Sequence, residues 1–169
     1  MISLMKKVLI YTDGSSRGNP GPGGYGALLI CGDHSKELSG GYQETTNNRM
    51  ELLAVITALE SLKQPCEVEI TSDSRYVINA MDKGWINGWH SRGWAKADKK
   101  PLKNTDLWKR IHTAIQPHTI KWNWVKGHAG NRHNERCDLL ATTAADAKNL
   151  PPDKGYIAQQ DTPDLFGDA

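Results

Sequence analysis

Four acids of this chain stand where carboxylates could do chemistry together. Asp13 closes the apolar run Lys7-Val8-Leu9-Ile10-Tyr11-Thr12, and a glycine-rich stretch from Gly14 to Gly24 follows it. Asp73 follows the short strand-like run Glu67–Thr71. Glu51 lies in the first turn of a helical pattern, and Asp138 in a later one, one turn after Asn134. Acids gathered on one edge of a sheet repel one another and cost stability unless a cation joins them. Hard divalent cations take oxygen ligands, and magnesium is typically held by one or two carboxylates plus substrate phosphates. Two such ions about 4 Å apart can activate a water and stabilise the leaving oxygen of a phosphodiester. The chemistry these acids imply is metal-assisted phosphodiester hydrolysis.

Each acid also has a structural account. Asp13-Gly14 suits an Asx-turn. Asn48 with Glu51 three residues on is close to a capping box. Asp73 could cap the helix it precedes, and Asp138 could be a solvated helix acid. Taken singly, these accounts are the commoner case; the joint pattern is what points to a site.

The elements that must position the acids follow from hydrophobic periodicity. The first run is apolar on both faces, as a central strand is, and ends near Asp13. Tyr25–Cys31 and Lys36–Gln43 complete an antiparallel meander through the turn Gly32-Asp33-His34-Ser35. Asn48–Leu62 reads as a helix, with Leu52, Val55, Ile56, Leu59 and Leu62 on one face and Pro65 beyond its end. Glu67–Thr71 is a strand, Ser74–Met81 a helix, and Asn104-Thr105-Asp106 starts a helix running to Ile115. Thr119–Val125 is a fifth strand, and Asn134–Lys148 a last helix. The expected fold is α/β: a mixed five-stranded sheet, its first three strands antiparallel, with helices on both faces. Residues 1–149 form the expected domain, and residues 150–169 an acidic, flexible tail.

At 169 residues the chain suits one domain with a sizeable core. The three cysteines, Cys31, Cys66 and Cys137, are widely spaced and form no CxxC pair, which argues against a disulfide framework or a zinc site. Reduced thiols, no apolar stretch of signal-peptide length and nothing of transmembrane length make a cytoplasmic protein the expectation. The net charge is +2; the last twenty residues carry −3, which leaves +5 on residues 1–149. Much of the positive charge lies between Lys83 and Lys103, where six basic residues meet one acid, Asp98. Trp85, Trp89 and Trp94 are interleaved there. The segment reads as a protruding handle for a nucleic-acid backbone, or as a helix whose tryptophans pack inward under solvated lysines.

Several motifs carry a resemblance beyond composition. They are Tyr11-Thr12-Asp13-Gly14-Ser15 with Gly18-Asn19-Pro20-Gly21, Thr45-Thr46-Asn47-Asn48-Arg49-Met50-Glu51-Leu52, and Ser72-Asp73-Ser74-Arg75-Tyr76-Val77. Further on come Trp85-Ile86, Gly93-Trp94, Ala97-Asp98-Lys99-Lys100-Pro101, Trp124-Val125-Lys126-Gly127-His128-Ala129-Gly130 and Asn134-Glu135-Arg136-Cys137-Asp138. In content and order this resembles the bacterial type 1 ribonuclease H family over about Lys6 to Ala145. The resemblance implies the ribonuclease H fold and endonucleolytic hydrolysis of the RNA strand of RNA–DNA hybrids. The expected products are 5′-phosphate and 3′-hydroxyl ends, with little sequence specificity. It implies two Mg2+ ions per site, with Mn2+ as a substitute, and a monomer.

By the same resemblance, Asp13, Glu51, Asp73 and Asp138 are the metal-binding acids, with Asp13 shared between the ions. His128 assists proton transfer or product release, with His133 as its local rival. Asn19, Asn47 and Asn48 touch the minor groove of the hybrid, and Thr46 a DNA phosphate. Trp85 lines the DNA-strand channel, with Lys99 and Lys100 on the handle. Ser16 and Arg75 stand where relatives often carry other residues, and are expected to tune substrate contact. Two alternatives are a non-catalytic hybrid-binding module, which would be expected to lack an acid, and a DNA nuclease or transposase-like enzyme on the same fold. The glycine-rich stretch is not a P-loop, because no Gly-Lys-Ser/Thr follows it. Leu165-Phe166 in the tail vaguely resembles short peptides that bind bacterial sliding clamps, so a tail-mediated protein partner is a lesser alternative to a solvated tail.

Overall fold

In the computed structural model, which describes residues 5–161, the first strand, β1 (Lys6–Ser16), runs on past Asp13. The glycine-rich stretch is the far half of a hairpin: β2 (Gly21–Cys31) pairs antiparallel with β1 up to Ser16↔Gly23. β3 (His34–Thr45) pairs antiparallel with β2, and β4 (Cys66–Ser72) and β5 (Thr119–Trp124) add in parallel. The strand order is β3-β2-β1-β4-β5. The expectation that the first strand stops near Asp13 is corrected here, and the correction has a physical meaning. On its β2 side β1 continues, but on its β4 side pairing ends at Thr12↔Ser72. The sheet therefore opens on one side at Asp13, with Asp73 next to it in register.

Helices cover both faces of the sheet. On β1, Gly14 faces the backbone of α1 (Asn47–Glu60), where a Cβ would lie 2.5 Å from the carbonyl carbon of Met50. The alternate positions Asp13 and Ser15 pair with Gly26 and Gly24. Those two glycines face α5 (Arg132–Ala145), and a Cβ on Gly26 would meet the Cys137 carbonyl oxygen at 2.6 Å. Close approach without side chains thus brings both helices against the strand that carries Asp13. Val8, Ile10, Ala27 and Leu29 form a core with Leu52, Val55, Ile56 and Leu59 of α1 and with Leu107, Trp108 and Ile111 of α4 (Thr105–Ile115).

Helix starts differ slightly from the sequence reading. Thr46 caps α1, its hydroxyl accepting from Arg49 N at 3.3 Å, so the cap lies two residues before Asn48. Ser74, rather than Asp73, caps α2 (Arg75–Asp82), accepting from Val77 N at 3.3 Å. Both alternatives that made an acid or its neighbour a cap are thereby removed, which leaves Glu51 and Asp73 without that structural duty.

The basic tryptophan segment divides into α3 (Trp85–Ser91) and a small hairpin closed by the bridge Ala95↔Pro101. Trp89 packs edge-on to Trp108, with centroids 4.9 Å apart, and Trp94 packs against His90 and His112. Trp85 remains 46% exposed, with Lys99 and Lys100 exposed on the hairpin.

The chain beyond Leu150 differs from a flexible tail starting there. Gln43 N donates to the Pro151 carbonyl at 2.9 Å, and α6 (Lys154–Asp161) follows. Asp153 and Tyr156 are buried. Asp153 accepts from the buried Arg49 at 2.8 Å and from the Thr45 hydroxyl at 2.7 Å. Packing therefore continues well past residue 149. Leu165-Phe166 lies outside the described residues. Among the described residues, no helix is long and apolar enough to cross a membrane.

Candidate active site

The opening beside Asp13 gathers acids from three elements. One carboxylate oxygen from each of Asp13, Glu51 and Asp73 lies within 4.8 Å of the others. Asp13 is supplied by β1, Glu51 by α1, and Asp73 by the turn between β4 and α2. Asp138, on α5, lies outside that triad but close enough for its charge to act on Asp13. Gly14 matters twice. Its missing Cβ admits α1, and its N–H donates to Asp13 Oδ1 at 2.9 Å.

Electrostatics describe a site short of positive charge. Burial, then the charges of Asp73 and Asp138, push the Asp13 carboxyl from its ordinary range up to about 8. Burial, then Asp13 and Asp73, hold Glu51 well above its usual range. Burial also raises Asp73, while the nearby His128 pulls the other way. Glu51 Oε2 is buried with no hydrogen-bond partner. A buried acceptor left unpaired costs roughly 1–3 kcal/mol, so this oxygen needs an electropositive partner. The all-oxygen donor set fits a hard divalent cation, and a softer metal would be expected to draw nitrogen or sulfur ligands.

Around the triad, Asn19 and Asn47 come together through Asn47 N donating to Asn19 Oδ1 at 3.1 Å. Asn47 and Asn48 are exposed on the first turn of α1, and Thr46, as cap, still has a hydroxyl proton to donate. His128 is exposed, in left-handed backbone at φ 56°. His133 instead turns its ring onto Tyr11, with centroids 4.7 Å apart. Arg75 lies over the Trp124 ring. Trp85, Lys99 and Lys100 stand on the handle, so the sequence-predicted residues divide between the acid cluster with its rim and a separate basic arm.

Two neighbours were not among the candidates. The buried Asn134 lies close enough to the Asp73 carboxylate to favour its charged form, and its spacing of four from Asp138 on one helix could have marked it. Gly127 abuts the same carboxylate. A Cβ there would lie 2.7 Å from Asp73 Oδ2, and only sheet register brings the two together. Gly127→Ala is therefore expected to displace Asp73 and lower kcat by about 10- to 100-fold. Affinity for substrate measured in EDTA should stay within about twofold; steady-state kinetics beside a binding titration check both.

Comparison with known proteins bears on the same elements. The RNase H family model matches residues 5–146. The ribonuclease H of Pseudoalteromonas atlantica is 58% identical over 152 residues, covering 90% of this chain and 99% of that protein. The ribonuclease H of Shewanella amazonensis is 57% identical over 155 residues, covering 92% and 99%. Among solved structures, LC9-RNase H1, a type 1 RNase H with the type 2 active-site motif, superposes with a TM-score of 0.77 at 33% identity, covering 86% of this chain and 74% of that one. LC11-RNase H1 in complex with an RNA/DNA hybrid gives a TM-score of 0.61 at 28% identity, covering 82% and 96%. A family match across the whole sheet and α5, with relatives this similar over nearly their full length, places the chain in the RNase H family.

Proposed function

We propose that this protein hydrolyses the RNA strand of RNA–DNA hybrids by a two-metal-ion mechanism. The observation that carries the reading is the convergence of Asp13, Glu51 and Asp73, joined by Asp138, on the one side where β1 loses its neighbour. The four acids hold two divalent cations, Mg2+ by preference and Mn2+ as a substitute. When bound, such ions activate the attacking water and stabilise charge on the phosphate.

The chain's other residues bind, orient and move protons. Asn19, Asn47 and Asn48 present amide groups to a wide, shallow minor groove, where the RNA 2′-hydroxyl distinguishes the strands. Thr46 donates its hydroxyl to a DNA phosphate. Trp85, Lys99 and Lys100 hold the DNA strand against the handle. Arg75 contacts substrate at the rim of the acid cluster. His128 moves a proton between the site and water, as an exposed imidazole beside Asp73 is placed to do. Replacing His128 with Ala should cost about 100-fold in kcat and spare hybrid binding, whereas His133→Ala should stay close to the parent. Equal losses in the two variants would remove the role from His128. We further propose that the protein works as a cytoplasmic monomer.

One assay tests the function. Purified protein is mixed with labelled hybrid, double-stranded RNA or double-stranded DNA, with Mg2+ or with EDTA. Mg2+-dependent cutting confined to the RNA of the hybrid supports the proposal. Hybrid binding without cutting would replace it with a binding module, and cutting of DNA would reassign the substrate.

A further inference from the structure

Four arginines of this protein are neutralised by carboxylates: Arg17 by Asp146, Arg49 by Asp106 and Asp153, Arg110 by Glu60, and Arg136 by Glu37. Arg75 is different. It is exposed, stands two residues after Asp73, and makes no ion pair among the described residues. Its guanidinium lies instead on the face of Trp124, 3.9 Å from the ring centroid. Trp124 is itself 40% exposed, and its indole Nε1 donates to the Asp73 carbonyl oxygen at 3.0 Å. The backbone beside it is pinned as well, Val125 N donating to the Ser72 carbonyl at 3.0 Å.

We propose that Arg75 binds a phosphate of the RNA strand next to the cut, with Trp124 as the residue that positions it. The proposal rests on the hydrolysis of hybrids argued above. Stacking uses the face of a guanidinium and leaves its edge, with five N–H donors, free for a planar, bidentate grip on phosphate. A head already laid on a rigid ring has less freedom to lose on binding. Stacking also keeps Arg75 from folding onto Asp73, where it would neutralise an acid meant for a cation. Because Trp124 is bonded to the Asp73 backbone carbonyl, the cationic head sits at a fixed offset from one member of the acid cluster. On the hydrolysis reading the strand cut at these acids is the RNA, so a phosphate of that strand is the one this head would reach.

The test measures hybrid affinity of the full chain in EDTA across a range of salt concentrations. Arg75→Gln should weaken binding about tenfold at fixed salt, the loss of one charge-assisted contact. It should also reduce the slope of log affinity against log salt by about one phosphate contact. Arg75→Lys should keep the slope and lose part of the affinity. Trp124→Ala should weaken binding without altering protein charge, and adding Arg75→Gln to it should then cost less than in the parent. Should Trp124→Ala fail to fold, Trp124→Phe keeps a stacking ring but loses the bond to the Asp73 carbonyl, and should bind between the parent and Arg75→Gln. Binding equal to the parent would remove the positioning role from that bond. Hybrids carrying single neutral methylphosphonates identify the strand. At one RNA position near the cut the parent should weaken and Arg75→Gln should lose nothing further. A slope that ignores Arg75, or the same pattern from a DNA-strand position, overturns the proposal. Failure of the parent protein to bind hybrid at all would overturn the hydrolysis reading as well.

Discussion

Asp13→Asn is expected to cut hybrid at least about a thousandfold more slowly than its parent, since on the proposed function it loses an ion ligand and with it several kcal/mol of transition-state stabilisation. The same variant is expected to unfold at a higher temperature in metal-free buffer. Asp13 is buried among Glu51, Asp73 and Asp138, and burial with the like charges raises its carboxyl to about 8. In the unfolded chain an aspartate ionises near its ordinary 3.8. The folded state therefore holds the proton more tightly, and stability falls as pH rises from about 4 to about 8. Asparagine carries no such penalty, so the variant's advantage should grow across that window and level off above it. Adding Mg2+ should stabilise the parent more than the variant, because a ligand stabilises the state that binds it. Thermal midpoints at pH 5, 7 and 8.5, with and without Mg2+, beside initial cleavage rates, check each part. A variant that kept a tenth of the parental rate would show Asp13 to be dispensable.

Asp153→Asn should cost about 3 kcal/mol of stability, in the range seen when one partner of a buried ion pair is removed. Arg49 is 1% exposed and Asp153 4%. The guanidinium bonds Asp153 at 2.8 and 3.1 Å and Asp106 at 2.7 and 2.9 Å, which joins α1, α4 and the start of α6. Burial alone would raise Asp106, yet the Arg49 guanidinium holds it below its usual range. The Asp106 contribution is therefore present at neutral pH and fades as pH falls through its lowered folded value. Urea unfolding at pH 7 should show the midpoint of Asp153→Asn falling with the slope unchanged. A loss under about 1 kcal/mol would mean that Asp106 alone satisfies Arg49.

Asp13 and Asp73 were legible as strand-end carboxylates because each follows an apolar run, whereas Glu51 and Asp138 lie inside helical patterns and stood out through the motifs around them. That Asp13 and Asp73 are neighbours was not legible, since it depends on β1 and β4 pairing in parallel up to Thr12↔Ser72. The stretch from Gly21 to Gly24 reads as a loop because glycine is a poor strand former. It is a strand here because those positions must let helices approach. α6 left no trace in periodicity. Lys154-Gly155-Tyr156-Ile157-Ala158-Gln159-Gln160-Asp161 has little apolar surface, and its anchor, Asp153, meets an arginine about a hundred positions earlier. The cap at Thr46 was missed by two residues because Asn48 with Glu51 imitates the same motif. Trp124 was visible as part of an alternating strand, but the sequence does not reveal that Arg75 lies on its ring.

Asp13, Glu51, Asp73 and Asp138 are drawn from β1, α1, the turn after β4 and α5, four elements spread along most of the described chain. No single element of the chain holds more than one of the set. A divalent cation therefore has little to grip in a half-assembled protein and cannot template its folding. On the proposed function it would lock a structure that is already finished, and cation affinity would become a readout of whether assembly is complete.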